Sequence, residues 1–218
     1  MIDLVPLYLS AKLALVTTAI LLVIGAALAY PLAMSRFAGK SLCEAFINLP
    51  LVLPPTVLGF FLLMLMGPRA VLGRAWQALF GSGLLFTFTA LVMASIIYSL
   101  PFAVQPMKTA FTRIDKRLIE NAYVLGLSPL KTFFRVILPN SLGGVAAGAI
   151  LVFLHTLGEF GVILMVGGSM PGETKVASIA IYEAVEALRY QDAWILSALL
   201  IPTSYIFLLV SYRVFRSE

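Results

Sequence analysis

Cysteine and histidine each occur once, as Cys43 and His155, and acidic residues number only ten in 218 positions. The lone cysteine excludes an internal disulfide and a cysteine-rich metal site. A single histidine with no second histidine or cysteine to join it is no basis for a metal centre. Charged residues of both signs make up just 11% of the chain, and no long soluble stretch, low-complexity tract or repeat interrupts it. Whatever energises or regulates such a chain must come from partners.

What is present is apolar surface. Hydrophobic residues make up 61% of the sequence and the mean hydropathy is +1.02, far from the near-balanced usage of a soluble domain. The chain therefore reads as a polytopic membrane protein. Its formal charge of +5 does not point to nucleic acid, because the basic residues sit in short loops between apolar runs, where they face lipid headgroups and set orientation.

Apolar runs long enough to cross about 30 Å of hydrocarbon, roughly 20 residues of helix each, occupy about 10–34, 45–66, 84–107, 141–166 and 194–212. They predict about five transmembrane helices, since lipid offers an isolated strand no backbone partners and the runs lack the alternation of a barrel. Asp3 precedes the first run, whereas Arg36 and Lys40 follow it. This is the reverse of a secretory signal, so the segment reads as a retained span with its N-terminus outside. The inner loops then hold Arg36, Lys40, Lys108, Arg113, Lys116, Arg117, Lys131, Arg135, Arg213 and Arg216, ten of the fifteen lysines and arginines. Lys12, Arg69, Arg74, Lys175 and Arg189 fall outside, and the positive-inside rule favours this placement, with a cytoplasmic C-terminus. Tyr8, Trp76 and Trp194 fall near the outer interface, where amphipathic rings prefer to lie.

Between the third and fourth runs lies a polar insert, ENAYVLGLSPLKTFFRVILP, at 120–139. From Arg113 onward, Ile114, Leu118, Ala122 and Leu125 recur near helical spacing. Gly126 is suited to end that helix in the left-handed conformation, and Ser128 followed by Pro129 supplies an N-cap and a first-turn proline for the next. The pattern predicts two short helices joined by a bend, forming a partly apolar knob on the cytoplasmic face.

By composition alone this knob is equally a plain connecting loop. Its spacing resembles the EAA loop of bacterial ATP-binding-cassette importer permeases, where a glutamate and two alanines precede a glycine and a later isoleucine, any residue, leucine and proline. Glu120, Ala122, Gly126, Leu138 and Pro139 match, while Asn121 replaces the first alanine and Val136 the isoleucine. The resemblance implies that the short helix docks in a groove on a separate ATPase subunit and carries its movement to the membrane helices, with Glu120, Ala122, Gly126, Leu127, Pro129, Leu138 and Pro139 as coupling residues. An apparent nucleotide-binding motif is a decoy. AGKS at 38–41 ends like a P-loop, but Met34 stands where its first glycine belongs and an apolar helix precedes it. ATP and Mg therefore belong to a partner, with no cofactor in this chain.

The second run contains Pro50, Pro54 and Pro55, which remove backbone donors and predict a helix bent or broken near its cytoplasmic half. A structural kink and a gate beside a pathway are both open readings for Pro54, Pro55 and Thr56. Glu159 is the acidic residue inside a predicted span, and intramembrane carboxylates are functional hypotheses by default. His155 precedes it by four on the same helical face, so a bond between the two is an expectation. For Glu159 a structural tie to neighbouring backbone and a gating role both stand. In the third run Ser95, Tyr98, Ser99 and Gln105 share a face, fit either to line a pathway or to bond helix to helix. Gly144 and Gly148 form a small-xxx-small pair suited to close packing. Residues 176–188 place Val176, Ile179, Ala180, Val185 and Leu188 at amphipathic spacing, which predicts a helix along the outer interface.

The strings HTLGEFGVILMVGG and MPGETKVASIAIYEAVEAL, with the proline-rich NLPLVLPPTVLGFF, resemble the permease subunit of bacterial and archaeal molybdate or tungstate ATP-binding-cassette importers, the ModB-type family. The resemblance covers nearly the whole chain, and sulfate or thiosulfate permeases share related strings. It implies an all-α integral membrane protein of the MetI-like fold, about five transmembrane helices with a cytoplasmic EAA loop, as a single transmembrane permease domain over 1–218. It also implies a homodimer in the cell inner membrane, two ATPase subunits, an extracytoplasmic oxyanion-binding protein and alternating access. Glu173, Glu183, Glu186 and Arg189 are then candidate docking charges for that protein. A passive channel or a membrane enzyme would share the hydrophobicity but not the EAA-like spacing, and an enzyme would have only His155 and Glu159 as ionisable groups inside the spans.

Overall fold

The computed structural model describes residues 3–215, with side chains described up to 209. Arg216, counted above among the inner charges, lies outside the described residues, as does the side chain of Arg213. Among the described residues every regular element is helical. Four helices are long and apolar enough to cross a membrane alone, or five spans are present if the bent pair at 40–52 and 55–66 counts as one.

The bundle is built around three helices. The first, α1 (Val5–Met34), has 30 residues, about 45 Å at 1.5 Å per residue, longer than the hydrocarbon core. Leu9, Leu13, Thr17, Leu21, Gly25, Ala29 and Leu32 form its buried stripe, at the spacing that keeps one helical face inward. The other faces expose side chains such as Leu15 and Val23, as lipid-facing helices do. After α2 (Lys40–Val52), α3 (Pro55–Met66) and the short α4 (Val71–Phe80), the central α5 runs over Phe88–Thr112. It is capped by Thr87, whose Oγ1 accepts from the Ala90 amide at 3.2 Å. Then come α6 (Lys116–Val124), α7 (Pro129–Thr132), a π turn at Phe133–Ile137 and a 3-10 turn at Pro139–Ser141, leading into α8 (Leu142–Leu157). The chain closes with α9 (Gly161–Gly167), α10 (Ala177–Glu186) and α11 (Tyr190–Phe215).

Helices α1, α5 and α8 touch one another through small residues. A Cβ on Gly25 would lie 2.8 Å from that of Ala103, and one on Gly144 would lie 2.3 Å from that of Ala110. Without lipid-driven hydrophobic force between helices, such close approach is the main source of cohesion. Two apolar clusters follow one another along α1 and α5. One gathers Leu13, Leu58, Met66, Leu91, Val162 and Ile179; the other gathers Leu21, Leu32, Met107, Phe111 and Ile137. Ile96 packs against both. We refer to the end carrying Arg36, Lys40, Lys108 and the insert as the basic end.

Two predicted spans are discontinuous. The second divides into α2 and α3, bent by 111°, a sharper break than a proline kink and one centred on Leu53 and Pro54 rather than toward one end. The fourth, expected as one helix, stops at Leu157 and resumes at Gly161. Its reason is local: Gly158 ends α8, and the buried Glu159 takes its bonds from α5 and α10 instead of continuing the helix. The third begins at Phe88 and runs past Met107 to Thr112. Helix α4 was not anticipated; it folds back on α3, and a Cβ on Gly73 would lie 2.0 Å from the Gly67 carbonyl oxygen, so no other residue fits there.

Candidate functional site

Three regions carry the sequence-predicted residues: the basic end, the helix breaks and the end opposite the basic one.

At the basic end, Asp115 caps α6 by accepting from the Arg117 amide at 2.9 Å, so the helix starts after a break at Arg113 and Ile114 rather than continuing from Arg113 as its spacing suggests. It ends in a Schellman motif: the Leu127 amide donates to the Ala122 carbonyl at 3.0 Å and the Gly126 amide to that of Tyr123 at 2.9 Å, with Gly126 at φ +78°. Ser128 then caps α7, its Oγ accepting from the Lys131 amide at 3.4 Å, with Pro129 in the first turn. Ala122 is buried, Leu127 and Leu138 are half-buried, and Glu120, Gly126, Pro129 and Pro139 are exposed. Nothing lies within 4 Å of a Cβ built on Gly126.

The tip of this insert is apolar and uncovered, with Val124 86%, Leu125 78% and Leu130 69% exposed, a composition that marks an interaction site on an otherwise charged loop. Its root is fixed. Ile137 is fully buried, and the Phe133 ring stands edge-on to Tyr30 of α1 at 5.3 Å and to Phe111 of α5 at 6.0 Å between centroids. The Phe133 ring thus joins the root of the insert to α1 and α5.

At the breaks, α3 and α9 lie backbone against backbone. A Cβ on Gly161 would stand 3.0 Å from that of Pro55, and one on Gly59 2.9 Å from that of Met165. Pro54, Pro55 and Thr56 are exposed, while Glu159 retains 4% exposure. Ser95 Oγ donates to Glu159 Oε2 at 2.7 Å, and Ser178 Oγ of α10 donates to the Glu159 carbonyl at 2.6 Å. Glu159 Oε1 has no partner among the described residues.

The expected bond between His155 and Glu159 is absent, because the break between them ends the helical register on which it depended. His155 Nδ1 lies 2.9 Å from Ser99 Oγ instead, and its ring stacks on Phe102 at 4.2 Å. Ser99 also meets Thr156 Oγ1 at 3.1 Å. Ser95 and Ser99 are fully buried, so both are placed between α5 and the segment from α8 to α9, joining helices. Gln105 donates to Asn48 Oδ1 at 2.7 Å, and Lys108 pairs with Glu44 at 2.7 Å; these ties hold α2 on α5. Sequence reasoning did not pair them, although a carboxylate and an amide four apart at the start of an apolar run were the available signal.

On the far end, Val176, Ile179 and Ala180 are buried as expected, but Val185 and Leu188 are exposed and Ala184 takes the inward place. Leu188 has φ +58°, so the helix has ended before it. Helix α10 packs on α1 and α11, and the Ala177 amide donates to Ser10 Oγ at 2.8 Å. Glu173 is exposed, Glu183 pairs with Lys175, Glu186 accepts from the Tyr182 hydroxyl at 2.5 Å, and Arg189 pairs with Asp192 at 3.2 Å.

The comparisons give this multi-span bundle, with its paired helix breaks and capped insert, its class: a membrane component of a transport system. Residues 16–216 match the binding-protein-dependent transport system inner membrane component family, and the chain belongs to it. It is 45% identical over 217 residues to the molybdenum transport system permease protein ModB of Azotobacter vinelandii, covering 99% of this chain and 96% of that one. To the Escherichia coli K12 protein of the same name it is 34% identical over 178 residues, 82% and 78% of the two chains. The sulfate transport system permease protein CysT of Synechocystis is 30% identical over 188 residues, 86% and 65%. Among solved structures, the bacterial alginate ABC transporter in complex with an alginate pentasaccharide-bound periplasmic protein superimposes with a TM-score of 0.77, at 16% identity over 98% of this chain and 78% of that one. The inward-facing MetNI methionine ABC transporter gives 0.73, at 17% identity over 97% and 94%. The fold is thus the MetI-like permease fold, and the chain is a transport component rather than an enzyme.

Proposed function

We propose that this chain is the permease subunit of an ATP-binding-cassette importer that carries molybdate, or the similarly shaped tungstate, into the cell by alternating access. Two copies form the pathway, and two ATPase subunits holding ATP and Mg bind the insert at the basic end. An oxyanion-binding protein delivers cargo to the opposite end, with Glu173, Glu183, Glu186 and Arg189 as its docking charges. The basic end is cytoplasmic, as favoured by the ten of fifteen lysines and arginines that the sequence assigns to the inner loops, and the N-terminus is outside. Higher identity to the molybdenum permeases than to the sulfate permease supports the cargo.

The observation that carries this reading is the connection from an uncovered apolar tip, Val124, Leu125 and Leu130, through the Phe133 ring to Tyr30 and Phe111. Movement entering there reaches α1 and α5 at the basic-end cluster. The 111° bend between α2 and α3 divides that span so that α2 follows α5 while α3 stays on α9. ATP and oxyanion bind differently to inward-open and outward-open arrangements, and that difference drives the exchange.

The test is uptake into proteoliposomes containing the permease, its ATPase and the cognate binding protein, alongside calorimetry of that binding protein with molybdate, tungstate and sulfate. ATP-dependent uptake of molybdate with no sulfate uptake supports the reading; uptake of sulfate alone overturns the cargo, and uptake without ATP overturns the mechanism.

A further inference from the structure

The insert does not close fully onto α1. Between them lies an open groove of about 710 Å³, within the roughly 300–1,000 Å³ of small-molecule sites. One wall is α1 from Leu22 to Tyr30, shallow where Ala26 and Ala27 stand; the other is the insert, through Leu130, Phe133 and Phe134. Apart from the Tyr30 hydroxyl every lining side chain is apolar, so water finds no set of partners there.

The groove has the length of one leaflet. Leu22 to Tyr30 is about 12 Å of helix, and it ends one turn before α1 closes at Met34, at the basic end. The hydrocarbon of a single leaflet is about 15 Å deep. The insert-side lip carries positive charge. Lys131 and Arg135 follow the wall residues Leu130 and Phe134 in the chain, are four residues apart and so neighbours, and are both exposed. Neither takes part in an ion pair among the described residues.

We propose that this groove binds one anionic phospholipid of the leaflet at the basic end, an acyl chain lying between α1 and the insert and the phosphate held by Lys131 and Arg135. Lipid tails are as apolar as the groove, so the chain contributes packing rather than transfer energy. Selectivity comes from the headgroup, which basic clusters beside membrane spans attract. Two other occupants are disfavoured. A soluble ATPase reaches the exposed tip but not Val23, which lies inside the apolar span. A second copy in the same membrane, related by a two-fold axis along the membrane normal, brings its own basic end to the same level, so like charges meet at the lip. A lipid seated here touches α1 and the insert at once, beside the Phe133 ring that joins them to each other. The inference needs the chain to lie in a membrane and nothing of its cargo.

The experiment uses purified permease in phosphatidylcholine nanodiscs containing a minor share of a photoreactive lipid, with the reactive group on the acyl chain and either a phosphatidylglycerol or a phosphatidylcholine headgroup. Labelled peptides are identified by mass spectrometry after illumination. The phosphatidylglycerol probe should label 22–30 and 129–138 about tenfold more than the phosphatidylcholine probe, as two cations near a membrane surface provide. Ala27→Trp, which fills the groove, should remove most of this labelling. Lys131→Gln combined with Arg135→Gln should erase the headgroup preference while leaving the chain folded, since both positions are exposed. Equal labelling by the two probes in the parent, or a preference that survives the double variant, overturns the site. Labelling of these peptides by neither probe shows that a second copy or a partner subunit fills the groove and overturns it as well. Should Ala27→Trp fail to fold, the double variant decides alone.

Discussion

Ser95 of α5 donates a 2.7 Å hydrogen bond to Glu159, across 64 residues of sequence and within a fully packed interior. This bond fixes the break between α8 and α9 to the central helix, and the Ser178 hydroxyl on the Glu159 carbonyl fixes the same break to α10. Three elements thus share one residue.

Hydrogen bonding, more than charge, is what this position requires, so Glu159→Gln should retain the folded protein and Glu159→Ala should not. Leaving Ser95 without its acceptor costs about 1–3 kcal/mol for a buried hydroxyl. Monodispersity and melting temperature in detergent measure both variants, and wholesale loss of folded Glu159→Gln contradicts the assignment.

Phe133→Ala removes the ring between Tyr30 and Phe111 and should separate hydrolysis from transport. The lost packing is worth about 2 kcal/mol, tolerable for assembly, but the insert then moves without driving α1 and α5. ATP hydrolysis should persist while uptake falls at least several-fold. Parallel loss of both activities would show that the ring matters for docking instead.

Gly126→Val should disturb the insert locally. A β-branched residue at φ +78° costs roughly 1–2 kcal/mol, whereas Gly126→Asn should be nearly neutral in stability because asparagine tolerates that conformation. Amide exchange across α6 reads the difference, and equal protection in the two variants counts against the Schellman turn.

The ease with which these residues were read differs for physical reasons. Gly126, Ser128 and Pro129 act through their own backbone, so the turn and the cap of α7 were legible one residue at a time. The prolines near Leu53 announced a break, though not its 111° angle, which depends on how α3 packs on α9. The break at Glu159 was hidden because Gly158 and Gly161 are tolerated in an apolar run, and the spacing from His155 to Glu159 has meaning only in an unbroken helix. Helix α4 was missed because ten residues with two glycine neighbours look like a loop until Gly73 meets α3. Ser95 and Ser99 were read as one face correctly, but only packing distinguishes a pathway wall from a helix interface.

Outside the spans, Glu183 provides a pH-dependent test. Partial burial tends to raise its carboxyl pKa, but hydrogen bonding by Lys175 and Ser169, with the charges of Lys175 and Arg189, outweighs it and holds the value below the ordinary 4.5. A carboxyl depressed by folding stabilises fully above its unfolded pKa, and the contribution is lost as pH falls through the folded value. The melting-temperature gap between the parent and Glu183→Gln should therefore close on acidification below 4.5. A gap that widens in acid contradicts the pairing.

The most direct test of the coupling account is a site-specific crosslink from the tip of the insert. Cys43 is exposed, so it is first replaced by serine, and Leu125→Cys then places one thiol on the uncovered tip. Opposite a cysteine in the ATPase surface groove, it should form a disulfide whose yield changes between nucleotide-free and ATP-bound complexes. A thiol at 125 labelled by an impermeant reagent from outside the cell, or one never joined to the ATPase in a complex that transports, would contradict the account.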